Sequence, residues 1–129
     1  MTPEIEEFAR LLVEYVRDLS IRSSELGLRR PAVSPVAKRW AKAEGEESPA
    51  EFARTVIPDV VDEVIFHVLQ AIDEGGLRLS FTASNGKVVD LTEEGLSELA
   101  GWYMGSDGWR AMYSKQRFVD DFADLKGRE

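Results

Sequence analysis

A chain of 129 residues with 43% hydrophobic and 31% charged side chains fits one domain, since domains cluster near roughly 100 to 150 residues, and no apolar run approaches the ~20 residues of a membrane span. Cysteine is absent, which excludes disulfides, thiolate metal sites and cysteine catalysis, and Glu4, Glu6 and Glu7 precede the first apolar cluster where an export signal would carry basic residues, so a bacterial, cytoplasmic protein is expected. The net charge of −8 is uneven: Arg22, Arg29, Arg30, Lys38, Arg39 and Lys42 face Glu25 alone between residues 22 and 42, a local balance of +5 that leaves −13 for the remainder.

Three Ser/Thr-Pro pairs, Thr2-Pro3, Ser34-Pro35 and Ser48-Pro49, read as helix starts, because the hydroxyl caps free N–H groups and proline at the first helical position gives up a donor that has no partner there. The first helix is predicted from Pro3 to about Glu25, with Ile5, Phe8, Leu12, Val16 and Leu19 forming one apolar stripe and Gly27 ending it. A basic connection, Leu28 to Val33, leads to a short helix from Pro35 to about Ala43 that places Val36 and Trp40 on one face, and Glu44 to Glu47 reads as a solvated turn. Ser48 with Glu51 makes a capping box for the next helix, which Pro58 should kink or break near Ile57.

From Pro58 to Glu74 the positions Val60, Val61, Val64, Ile65, Val68, Leu69 and Ile72 make a wide apolar face, the pattern of a central core helix, with Asp59, Asp62, Glu63, His67, Gln70, Asp73 and Glu74 on the opposite, solvated face. Gly75-Gly76 stops it and a hairpin follows, Leu77 to Leu91, turning at Asn85-Gly86. A two-residue loop would split the apolar residues between faces. A three-residue loop, Ser84-Asn85-Gly86 with Gly86 left-handed, pairs Phe81 with Val89 and Leu79 with Leu91 and puts the large apolar groups on one face, packed on the central helix. Two strands alone are marginal, so helical cover or a second copy joined through the hairpin is expected. Thr92 should cap a helix carrying Leu96, Leu99, Ala100 and Tyr103, Gly105 to Gly108 should break it, and a last helix, in one or two pieces, is predicted from Trp109 to Leu125, with the tail from Lys126 frayed. The expected fold is thus a single α+β domain, residues 1 to 129, of about five helices and one antiparallel hairpin.

Three constellations are candidates for function. Asp59, Asp62, Glu63 and His67 lie on one helix, and a carboxylate four residues before an imidazole can share a divalent ion such as Mg²⁺ or Mn²⁺; a small metal-dependent hydrolase is the alternative this supports. The basic island around Trp40 has the residue types for phosphate contact and base stacking, yet the acidity of the remainder argues against nucleic acid. The segment holding Trp102, Tyr103, Asp107, Trp109 and Arg110 has the composition of a protein-binding surface, with glycines for sharp turns and half of the twelve aromatic residues of the chain falling between Trp102 and Phe122.

No Gly-x-Ser-x-Gly elbow, phosphate loop or metal signature occurs, so the leading expectation is a non-catalytic protein-interaction module without a cofactor. In size and acidity the chain resembles bacterial immunity proteins that neutralise basic toxins, a resemblance that implies an inhibitor-like role and a basic protein partner drawn in by negative charge.

Overall fold

The computed structural model describes residues 1 to 123. Its elements are α1 (Pro3–Leu12), a π-helical segment (Val13–Arg17), α2 (Asp18–Gly27), α3 (Pro35–Glu46), α4 (Pro49–Asp73), β1 (Ser80–Thr82), β2 (Val88–Asp90), α5 (Leu91–Glu94), α6 (Leu99–Met104) and α7 (Trp109–Tyr113). The fold is a mostly helical α+β domain with a two-stranded antiparallel sheet. No helix among the described residues is long and apolar enough to cross a membrane.

The helix starts follow the Ser/Thr-Pro chemistry. Thr2, Ser34 and Ser48 accept hydrogen bonds from the backbone N–H groups of Ile5, Ala37 and Glu51, at 3.1, 3.0 and 3.3 Å. In the first half of the chain two boundaries depart from expectation. Glu44 to Glu46 continue α3 instead of forming a turn, and α4 runs unbroken through Pro58 for 25 residues. Proline removes one helical hydrogen bond, and here the packing of α4 against α2, α3 and α6 outweighs that local loss.

α4 is the axis of the molecule. Its C-terminal Ile72 joins Leu77 and Leu99 in the core, with Val68, Leu69, Leu79, Leu91, Trp109 and Leu11 packed around them. Beyond Asp73 the chain turns through Gly75, whose φ of 81° is left-handed and natural to glycine. The hairpin has the three-residue register: Phe81 pairs with Val89, Leu79 accepts from the Leu91 N–H at 3.0 Å, and Gly86 has φ 84°. Leu77, Leu79 and Leu91 pack on the end of α4, whereas Phe81 at the tip stays exposed.

The helix expected from Thr92 is corrected to two short ones. Asp90 caps α5, Thr92 instead donates to the Ile72 carbonyl at 2.9 Å, and Leu96 and Ser97 adopt left-handed backbone with Leu96 exposed. The reason lies across the fold: the Asp73 carboxylate accepts from the N–H groups of Leu99 and Ala100 at 3.1 and 3.0 Å and so sets the start of α6 independently of α5. The last helix is likewise shorter than expected. It ends at Tyr113 and the chain continues irregularly; Leu125 and the tail from Lys126 lie outside the described residues.

Within the first helix the residues at four-residue spacing, Leu12, Val16, Ser20 and Ser24, line one groove against α4. In a regular α-helix such a row drifts around the axis, and the wider π turn at Val13–Arg17 returns it toward α4. The predicted stripe is therefore only half realised. Val16 is buried, but Ile5, Phe8 and Leu12 remain exposed and α1 contains no buried residue.

Candidate partner-binding site

The acidic face of α4 is not solvated as expected; its carboxylates organise the surrounding helices. Asp62 is buried and accepts hydrogen bonds from the Tyr103 hydroxyl at 2.6 Å and from the Arg110 guanidinium at 2.8 Å. Arg110, also buried, donates a second bond to the Met104 carbonyl at 3.0 Å and lies 4.6 Å from the centroid of the Phe118 ring, while its Nε has no partner. Burial pushes the Tyr103 phenol above its ordinary pKa, the hydrogen bond to Asp62 and the carboxylate charge add to this, and the Arg110 charge acts the other way.

These contacts require the chain to double back between α6 and α7. Gly108 makes the bend possible, because a Cβ there would overlap the Trp102 carbonyl oxygen. The return brings Tyr103, Trp109, Tyr113 and Phe118 over Ile57, Pro58 and Val61 of α4, enclosing an aromatic cleft of about 470 Å³ with Asp62 and Arg110 in its wall and Arg117 beside them. Trp102 and Trp109 stand 6.2 Å apart with rings tilted by 45°; Trp109 reaches the core and Trp102 stays at the surface.

A second, more polar cleft of about 360 Å³ adjoins the first and shares Pro58, Arg117 and Phe118 with it, adding Glu47, Glu51 and Arg54. Its floor holds Asp59, which accepts from Arg39 Nη2 at 2.8 Å and from the Trp40 indole at 2.7 Å; Arg39 also bridges to Asp121 at 2.7 Å. Burial disfavours the Arg39 charge, but the hydrogen bonds to Asp121 and Asp59 outweigh it and raise its pKa. The basic island is thereby partly neutralised. Arg39 is engaged by two carboxylates, Arg30 pairs with Glu44 at 2.6 Å, and Trp40 is 2% exposed, which leaves no indole for stacking on a base.

Of the residues that the sequence singles out for partner binding, Tyr103, Trp109 and Arg110 come together in the aromatic cleft, whereas Trp102 and Asp107 stand exposed beside it. The four metal candidates are not brought together. Asp59 turns to Arg39 and Trp40, Asp62 to Tyr103 and Arg110, and His67 Nδ1 lies 2.9 Å from the Ser20 hydroxyl with Glu63 3.7 Å from its Nε2. Among the described residues no group of three or more His, Asp or Glu side chains is placed to hold a metal ion. Sequence reasoning missed Tyr113, Phe118 and Arg117 in the cleft and Ser20 beside His67. The aromatic density after Trp102 signals the first two; nothing local marks Ser20, which meets His67 from 47 positions away.

Comparison with protein-family models, curated proteins and solved structures finds no match for this chain.

Proposed function

We propose that this protein is a non-catalytic interaction module, inhibitor-like and acting in a bacterial cytoplasm, which receives a basic protein partner at the aromatic cleft between α4 and the α6–α7 turn. The observation that carries this reading is the chemistry of the cleft wall. Its buried charges, Asp62 and Arg110, already pair with each other, so the cleft offers rigid aromatic surface instead of a poised nucleophile or base. Exposed Trp102 and Tyr113 extend that surface outward, the adjoining cleft balances Glu47, Glu51 and Asp59 against Arg39, Arg54 and Arg117, and the net charge of −8 on the whole molecule would steer a cationic partner. A metal-assisted hydrolase built on Asp59, Asp62, Glu63 and His67 would require Asp59 and Asp62 to leave their present partners, at the cost of stranding buried Arg110 and the Trp40 indole.

The test is site-specific photocrosslinking in the native cell, with a benzophenone amino acid at Trp102 or at Tyr113 and a control at Glu6. A defined adduct at both cleft positions, absent at Glu6 and lost in the adjoining Trp109→Ala background, is expected. Adducts of equal yield at all three positions would refute the cleft as the binding surface. Native mass spectrometry of the untreated protein addresses the hydrolase reading: a stoichiometric divalent ion that disappears in Glu63→Ala would favour it.

A further inference from the structure

The chain has too much surface for a compact monomer. It exposes 9169 Å² at a mass of 14.5 kDa, where a folded monomer of that mass exposes about 6,900 Å². Among the described residues no large side chain falls below 2% exposure, and a core cluster of buried residues is formed by Ile72, Leu77 and Leu99. Apolar surface left open on this scale calls for cover from another chain.

One face shows where that cover fits. α1 is strongly amphipathic yet contributes no buried residue, and its apolar ridge, Ile5 at 52% and Phe8 at 42% exposure, leads by helical spacing into Leu12. Leu12 is also the first residue of an almost wholly apolar groove of about 490 Å³, whose far wall is Val60, Val64 and Val68 of α4. Ridge and groove therefore lie end to end on the same face. A two-fold axis near Leu12 would set the ridge of each molecule against the groove of the other, the reciprocal contact that a closed two-fold interface requires. Val13 beside the ridge and Ile21 in the groove are half exposed and belong to the same patch. The surface excess of about 2,300 Å² is spread over the whole chain, the hairpin tip and Tyr113 included, and it leaves room for the roughly 800 Å² per partner that a standard interface buries.

We infer that the ridge of α1 and the groove between the first helix and α4 form the dimer interface of this protein, occupied by a second copy of the same chain. This inference is independent of the aromatic cleft, and either can fail without the other. Because the contact is apolar and each copy carries a net charge of −8, added salt screens repulsion and tightens the dimer, the opposite of what salt does to an interface held by ion pairs.

The deciding experiment is sedimentation velocity on the full chain at about 10 μM, a concentration at which even modest apolar interfaces associate. The expected result is a species of twice 14.5 kDa for the wild type, reduced to a single chain by Phe8→Glu and by Leu12→Glu with the far-ultraviolet circular dichroism unchanged, and retained in Phe81→Glu and Val88→Glu on the exposed hairpin. A monomeric wild type overturns the inference, as does a dimer that the hairpin variants dissociate and Phe8→Glu does not. Should the charged variants fold poorly, Leu12→Cys in this cysteine-free chain gives a second reading: placed near the two-fold axis, it should be trapped as a covalent dimer by mild oxidation in far higher yield than Val88→Cys on the hairpin. Equal yields at the two positions would equally overturn it.

Discussion

Removing the Asp62 carboxylate should test the architecture of the cleft more severely than any other single change. In Asp62→Ala the Arg110 guanidinium, 6% exposed, loses its 2.8 Å ion pair and keeps the Met104 carbonyl and the Phe118 ring as its remaining contacts, with Nε already unpartnered. The Tyr103 hydroxyl loses its acceptor as well. Stranding one member of a buried pair typically costs about 3–5 kcal/mol, much of it the penalty of leaving the other charge in a medium that solvates it poorly. For a chain of this length that corresponds to a fall in Tm of very roughly 10–20 °C. Urea titration followed by tryptophan fluorescence measures the free energy directly. The combined variant Asp62→Leu/Tyr103→Phe/Arg110→Met removes all three polar groups together and should recover most of the loss, because no charge is then left buried. A cost below about 1 kcal/mol for Asp62→Ala would show that water reaches the pair and that the ion pair in the wall is not desolvated, which would refute the reasoning.

Three further outcomes follow from the same geometry. The Tyr103 phenol has a raised pKa in the folded state, so its contribution is complete below the unfolded value of about 10 and is lost as pH rises beyond it; the urea midpoint should fall more steeply above about pH 10 in the wild type than in Tyr103→Phe, and equal slopes would contradict the assignment. Asp73→Ala should cost about 1 kcal/mol, in the range of lost helix caps, and should speed hydrogen exchange at the Leu99 and Ala100 amides before exchange elsewhere in α6. Trp109→Ala, which removes a ring packed on Ile72, Leu77 and Leu99, should destabilise by about 3 kcal/mol, whereas Trp102→Ala at the surface should cost under about 1 kcal/mol while abolishing partner crosslinking; reversed costs in chemical denaturation would misplace both indoles.

The sequence by itself determined what depends on neighbours along the chain. Thr2, Ser34 and Ser48 start helices because each hydroxyl reaches an N–H three residues on, and the hairpin register follows from the alternation of Leu77, Leu79, Phe81, Val89 and Leu91 with a left-handed Gly86 between them. The aromatic density after Trp102 likewise pointed to the cleft. Tertiary structure decided the fate of the charges. Asp59, Asp62 and Asp73 occupy what reads as a solvated face, and each is claimed by a donor from a distant element: Arg39 and Trp40 on α3, Tyr103 and Arg110 around the α6–α7 turn, and the opening amides of α6. Periodicity distinguishes polar from apolar but cannot distinguish a carboxylate facing water from one facing a guanidinium, since the two differ only in a partner from elsewhere in the chain. The same limit explains the exposed ridge of α1: Ile5, Phe8 and Leu12 show that a face must be covered, and the path of the chain in space leaves that face open.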